Sequence, residues 1–218
     1  DFCSSARPEQ FEPILRRWGH DGFWDMGRKF GTLGAMRRRA DGTEVKVEVT
    51  TYRSDTYDPD SRKPEVNYGY TLEGDLSRRD FTVNAMALRV PDLEFVDPFG
   101  GASDLAKGVL RTPVDPSQSF DDDPLRMMRA VRFVAQLGFS IAPDAAEAIS
   151  SMRDRIEIVS AERVRDELTK MLLSDRPRAG LEALVESGLA DIVFPEIPAL
   201  QLQIDEHHRH KDVFEHTI

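Results

Sequence analysis

The chain is short of the residues that staple small secreted folds and of those that span membranes. Cys3 is the one cysteine among 218 residues, so no disulfide closes within the chain and no cysteine-based zinc knuckle forms. A reducing compartment fits that usage, and the cytoplasm is the expected location. No apolar run approaches the roughly 18 residues a membrane span requires, so no membrane partner is expected. An opening methionine and a charged-then-apolar leader are missing too. The chain therefore reads as an excised piece whose natural start is absent. There is no excess of basic charge: the formal net charge is −10, which for the chain as a whole disfavours nucleic acid. Most of the surplus acid lies beyond residue 112, however, and the arginines are locally clustered, so a basic cleft remains open.

What is present divides into two characters. Up to about residue 112 the pattern is mixed α/β. A helix is expected over Arg7 to Trp18, with Phe11, Ile14, Leu15 and Trp18 on one face. Short strands are expected near Phe23–Met26 and Thr32–Met36, and Asp41-Gly42 is a hairpin signal. Val45, Val47 and Val49 alternate with Lys46, Glu48 and Thr50, the signature of a half-buried strand. Arg53 to Tyr70, polar and broken by Pro59 and Pro64, reads as a long loop. Asp80 to Arg89 reads as a helix, and Leu93–Val96 as a strand ending at Asp97-Pro98 before the Gly100-Gly101 turn. From Pro116 onward the spacing is helical, over 123–137, 143–150, 161–173 and 177–187. A boundary is placed near Thr112–Pro116. The fold class is α+β.

Asp121-Asp122-Asp123-Pro124 is read as opening a helix, because acid suits the positive helix N-terminus and proline its first turn. Arg126, Arg129 and Arg132 follow at steps of three, each rotated by about 60° from the last, with Asp123 one step before them. A solvated arginine face explains this spacing. So does a face that reads a base edge. Cytosine and adenine both offer an amino donor beside a ring-nitrogen acceptor. A carboxylate can accept from the first while a guanidinium donates to the second. Guanine and uracil present the reverse order and leave groups unpaired, which is costly in a closed site. Upstream, Arg78-Arg79-Asp80 suits a polyphosphate and a ribose hydroxyl, or equally a charged helix N-terminus capped by Asp80.

Three ordered motifs carry a resemblance. Asp75 to Ala87, Asp97-Pro98-Phe99-Gly100-Gly101 and Asp122 to Phe133 together resemble the bacterial tRNA nucleotidyltransferase and poly(A) polymerase family, the class II CCA-adding enzymes. The similarity extends to Ala161–Leu168 in the helical part. It implies a polymerase-β-like nucleotidyltransferase head over 1–115, a helical neck and body over 116–204, and the start of an HD-type domain over 205–218. By resemblance, Asp1 is the second aspartate of a metal-binding Asp-x-Asp pair, and Glu48 is either a third acidic residue facing the metals or a plain exposed strand residue. Arg79 and Asp80 resemble the residues that hold the nucleotide's phosphates and ribose. Asp97 and Gly101 match a hinge between head and neck. Asp123 and Arg126 match an amino-acid template that pairs with the incoming base, and Arg129 and Arg132 match further nucleotide contacts. Asp122 stands where glutamate is usual, one methylene shorter. His216 would be the first metal ligand of the HD-type domain.

The resemblance implies Mg²⁺-dependent addition of CMP and AMP, from CTP and ATP, to the 3′ end of tRNA, with release of pyrophosphate and no nucleic-acid template. With at most one of the paired aspartates, the chain as it stands is expected to be inactive. Poly(A) addition to RNA 3′ ends is the alternative within the family. A non-catalytic RNA-binding or HD-phosphohydrolase module is the alternative outside it.

Overall fold

The computed structural model describes residues 1–58, 61–69 and 71–200. The chain forms two compact units, Asp1–Arg78 and Arg79–Ile218. The units thus part well upstream of the composition break near 112–116. The expected HD-type segment 205–218, with His216, lies outside the described residues.

The first unit holds β1 (Phe2–Ser4), α1 (Pro8–Trp18), β2 (Gly22–Trp24), β3 (Thr32–Arg38), β4 (Glu44–Thr51), β5 (Arg53–Asp58), β6 (Ser61–Tyr68) and α2 (Leu72–Ser77). Its main sheet has the order β1-β4-β3-β2. β1 runs parallel to β4, and the other neighbours are antiparallel. The valine alternation of β4 does what period-2 patterning requires. Val47 and Val49 pack with Leu33 and Ala35 of β3 against Phe11 and Leu15 of α1. Lys46 and Glu48 lie on the opposite, exposed face. The loop expected over Arg53–Tyr70 is instead an antiparallel hairpin, β5 on β6, with a register shift between Thr56 and Asp58. The hairpin carries almost no apolar alternation, and that is why its sequence reads as a loop.

The second unit holds β7 (Ala87–Arg89), β8 (Glu94–Val96), α3 (Gly101–Lys107), β9 (Val109–Leu110), α4 (Pro116–Asp122), α5 (Leu125–Leu137), β10 (Ser140–Ile141), α6 (Pro143–Met152), α7 (Ala161–Leu172), α8 (Pro177–Glu186) and α9 (Ala190–Val193). α5 is enclosed by its neighbours. Met127, Met128, Ala130, Val131 and Ala135 share one core with Phe120 of α4, Ile149 of α6, Met171 of α7 and Leu184 of α8. No helix of the described residues is long and apolar enough to cross a membrane.

Two further expectations are corrected. The helix expected over Asp80–Arg89 is only a 3-10 turn, Thr82–Asn84, followed by β7. The Thr82 amide donates to the Arg111 carbonyl at 2.8 Å, and the Asp80 carboxylate takes the Phe81 amide at 2.8 Å. These bonds draw the backbone away from a helical ladder. Asp121 and Asp122 do not open α5; they end α4. Asp115-Pro116 supplies the start of α4, with the Gln118 amide donating to Asp115 Oδ1 at 3.1 Å. Acid at a helix C-terminus is unfavourable, and Arg155 offsets it by pairing with Asp121 at 2.8 Å.

Candidate functional site

In the first unit the polar face of the sheet presents one row across β4, β3 and β2, which a one-residue extension of the β1 register carries on to Asp1. Phe2 pairs with Val49, so the same register sets Asp1 beside Glu48. Glu48 pairs with Gly34, and Gly34 with Trp24. The next row along brings Cys3 beside Thr50 and Thr50 beside Thr32, the two threonine hydroxyls 2.9 Å apart. Trp24 lays its ring over Gly34: a Cβ added there would stand 2.0 Å from the indole. The indole Nε1–H donates to Glu48 Oε1 at 3.1 Å. Two carboxylates in one row are hard oxygen donors of the kind Mg²⁺ takes in ones or twos, completing its shell with water and substrate phosphate. Among the described residues no cluster of three or more His, Cys, Asp or Glu could hold a metal by itself.

In the second unit the polar side chains converge on α5. Arg129 donates to Asp80 Oδ2 through Nε at 2.9 Å and Nη2 at 2.5 Å. Asn84 and the Phe81 amide donate to the other oxygen, at 3.0 and 2.8 Å. Burial alone would raise the Asp80 pKa. The Arg129 charge and the hydrogen bonds from Asn84, Arg129 and the Phe81 amide outweigh it and hold the carboxyl below its ordinary value. Phe133 backs this pair, edge-on to Phe81 at 5.7 Å between centroids. The Arg129 and Arg132 guanidiniums lie 5.3 and 4.2 Å from its ring centre. Arg79 stands just before Asp80 and is half-buried.

The corner between α4 and α5 holds the proposed base-reading pair. Asp123 is extended, with φ −147° and ψ 95°, and belongs to the corner and not to the helix face. Its Oδ1 accepts from the Leu125 amide at 3.2 Å, and its Oδ2 lies 3.5 Å from Arg163 of α7. Asp122 is the last residue of α4. Arg126 is 6% exposed and donates through Nη1 to the Ser119 carbonyl at 3.1 Å and hydroxyl at 2.8 Å. The arginine row is thus no solvated face. Arg132, 8% exposed, donates through Nε to Glu167 of α7 at 2.5 Å, with Gln136 on its Nη1. Its observed bonds fasten α5 to α7.

The Asp97–Gly101 motif is a helix cap. Asp97 accepts from the Gly101 and Ala102 amides at 2.7 and 3.0 Å, and so takes up two donors that a helix start leaves unpaired. Gly101 allows a close approach: a Cβ would lie 2.2 Å from the Thr82 carbonyl. Thr82 also donates its hydroxyl to buried Asp104 at 2.8 Å. The motif therefore locks α3 to the turn that follows Asp80.

Sequence reasoning missed Trp24, Gly34, Ser119 and Glu167. Strand parity carries a signal for the first two, because the hairpin through Asp41-Gly42 sets Gly34 opposite Glu48. The partners of Arg126 and Arg132 leave no local signal, since Ser119 and Glu167 reach them through tertiary packing.

Residues 1–111 match the family described as the poly A polymerase head domain. Residues 138–200 match one described as a probable RNA and SrmB-binding site of polymerase A. The CCA-adding enzyme of Bacillus subtilis strain 168 is 37% identical over 199 residues, which are 91% of this chain and 46% of that enzyme. That of Leuconostoc mesenteroides is 40% identical over 204 residues, 93% of this chain and 47% of that enzyme. The chain thus spans about half the length of these relatives. Among solved structures, the Bacillus stearothermophilus CCA-adding enzyme in complex with CTP aligns with a TM-score of 0.74 at 35% identity, covering 86% of this chain and 42% of that one. The Thermotoga maritima CCA-adding enzyme complexed with tRNA aligns at 0.71 and 27% identity, covering 89% and 43%.

Proposed function

The chain belongs to the poly A polymerase head-domain family, and from that membership we propose that its parent protein adds CMP and AMP to the 3′ end of tRNA without a nucleic-acid template. The α4–α5 corner carries this reading. There one acceptor, Asp123, and one forked donor, Arg126, stand three residues apart and are each held in place, Asp123 by the Leu125 amide and Arg126 by Ser119. That pair meets the amino group and ring nitrogen shared by cytosine and adenine, and mismatches guanine and uracil. A rigid pair discriminates better than a mobile one, because no binding energy is lost to ordering it.

Asp1 and Glu48 would hold Mg²⁺, which lowers the pKa of the attacking hydroxyl and stabilises the leaving oxygens. Arg79 binds the triphosphate, as a forked cation suits phosphate oxygens. Asp80 accepts from the ribose and is kept ionised by Arg129. Arg129 and Arg132 act behind the nucleotide: the first orients Asp80, and the second ties α5 to Glu167. The RNA 3′-hydroxyl attacks the α-phosphate of CTP or ATP, and pyrophosphate leaves. The residues matched as an RNA-binding site, 138–200, fit the tRNA side of the reaction. The site of action is the cytoplasm.

Full-length protein incubated with tRNA lacking its CCA end and with CTP alone should extend it by cytidines only; with ATP added, the extension should finish with one adenosine. A long run of adenosines, with no use of CTP, would assign poly(A) addition instead. Arg126→Ala should raise UTP and GTP incorporation relative to CTP by about tenfold or more, since breaking a two-point base contact, here shared by Asp123 and Arg126, typically costs about 1–3 kcal/mol of discrimination. An unchanged nucleotide profile from a selective wild type would remove Arg126 from base choice.

A further inference from the structure

We infer that Trp24 is a positioning residue for Glu48: its indole N–H, reaching across Gly34, fixes the carboxylate in the row it shares with Asp1. The inference rests on the proposed role of Glu48 as a metal-facing acid.

Glu48 is exposed, and its side chain has three rotatable bonds. An exposed glutamate samples many rotamers, and holding one of them costs entropy of the order of 1–2 kcal/mol. A metal ligand that must be ordered on each binding event binds more weakly than one held in place beforehand. The Trp24 indole is a rigid donor with no competing acceptor role. It reaches Glu48 because the residue between them in the row is glycine. Any Cβ at position 34 would enter the space the indole occupies. Gly34 sits in the middle of a seven-residue strand, where glycine is entropically unfavourable. Its presence there is explained by the close approach of the ring.

The bond engages one carboxylate oxygen, Oε1. A carboxylate has about four lone-pair sites, so one N–H leaves capacity for a cation. An N–H donor on one oxygen also orients the other, as outer hydrogen bonds do for ligating carboxylates in metal sites generally.

The test uses the full-length protein. Trp24→Phe keeps an aromatic side chain at position 24 and removes the N–H donor, together with part of the indole edge that lies over Gly34. It should raise the Mg²⁺ concentration for half-maximal cytidine addition by about tenfold, the lower end of the usual effect of outer-shell changes on metal affinity. KM for CTP at saturating Mg²⁺ and the melting temperature should stay at wild-type values. Gly34→Ala keeps the tryptophan and displaces it, and should move the Mg²⁺ requirement the same way. A second readout is independent of turnover. In protein labelled with ¹⁵N-tryptophan, the indole resonance that vanishes in Trp24→Phe should shift saturably with Mg²⁺, and should not shift in Glu48→Gln.

A wild-type Mg²⁺ requirement in Trp24→Phe overturns the positioning role. If Glu48→Gln still raises that requirement, the metal-facing reading of Glu48 survives alone. If Glu48→Gln also leaves it unchanged, both fall. An effect of Trp24→Phe that persists undiminished in the Glu48→Gln background overturns the inference as well, because the action would not pass through Glu48.

Discussion

Arg129 and Asp80 lie 49 positions apart and meet through two nitrogens on one carboxylate oxygen. Asp80 is the more enclosed partner, its side chain 10% exposed against 31% for Arg129. Removing the arginine therefore leaves a largely buried carboxylate with only neutral donors. Arg129→Ala should lower stability by about 2–3 kcal/mol, as expected for breaking a mostly buried charged hydrogen bond from one side. Arg129→Lys should recover only part of this, since a single ammonium cannot reproduce the fork. Calorimetric melting of the three proteins side by side reads both differences.

Acid should act through the same pair. The folded Asp80 carboxyl titrates below its ordinary value, and an unfolded aspartate titrates near about 3.9. Between those two values the unfolded state binds more protons, so stability rises with pH there. The contribution is fully present above about pH 4 to 5 and is lost as pH falls through the folded value. Asp80→Asn should be less stable than wild type at neutral pH and should lose less on acidification. Parallel acid-unfolding curves for the two proteins would refute this.

Arg132 and Glu167 form a more secluded pair, their side chains 9% and 5% exposed. Glu167→Ala should destabilise by about 3–5 kcal/mol, because it strands a guanidinium in the helical core. The double variant Arg132→Met, Glu167→Leu should recover most of that loss. CTP affinity in the double variant, measured by titration calorimetry, should match wild type, since the observed bonds of Arg132 fasten helices together.

Gly101→Ala should cost about 1–3 kcal/mol, the usual range for forcing an extra carbon into packed surroundings. The obstacle at 2.2 Å is the Thr82 carbonyl, and backbone yields less than a side-chain tip. Gly100→Ala meets nothing within 4 Å but has a φ of +73°, so it should cost about 1–2 kcal/mol through conformation alone. Melting temperatures separate the two mechanisms when each site is also changed to Asn. Asn tolerates the left-handed region, so it should be milder than Ala at 100 and no milder than Ala at 101.

Much of this architecture is legible in the chain, and the failures have physical causes. β4 announces itself through three valines at period two, and α5 to α8 through helical spacing, with Gly138, Pro143, Pro177 and Gly188 marking several of the helix ends. The β5–β6 hairpin is silent because it lacks apolar alternation. The segment after Asp80 has helix-forming residues, but a tertiary bond from Thr82 to the Arg111 carbonyl takes its backbone elsewhere. At the candidate site the residue types were readable and their exposure was not. A row of arginines at steps of three has the same spacing whether solvent or Ser119, Asp80 and Glu167 receives it. Only the partners decide, and they come from distant parts of the chain.

The burial of Arg126 has an evolutionary consequence. The side chain proposed for base choice is also walled in by the helices it holds together, and Ser119, which it bonds, is wholly enclosed. A lineage drifting toward a different nucleotide could not exchange that arginine as it might a loop residue. It would first need compensating changes in the surrounding helices, so substrate preference here should be slow to diverge.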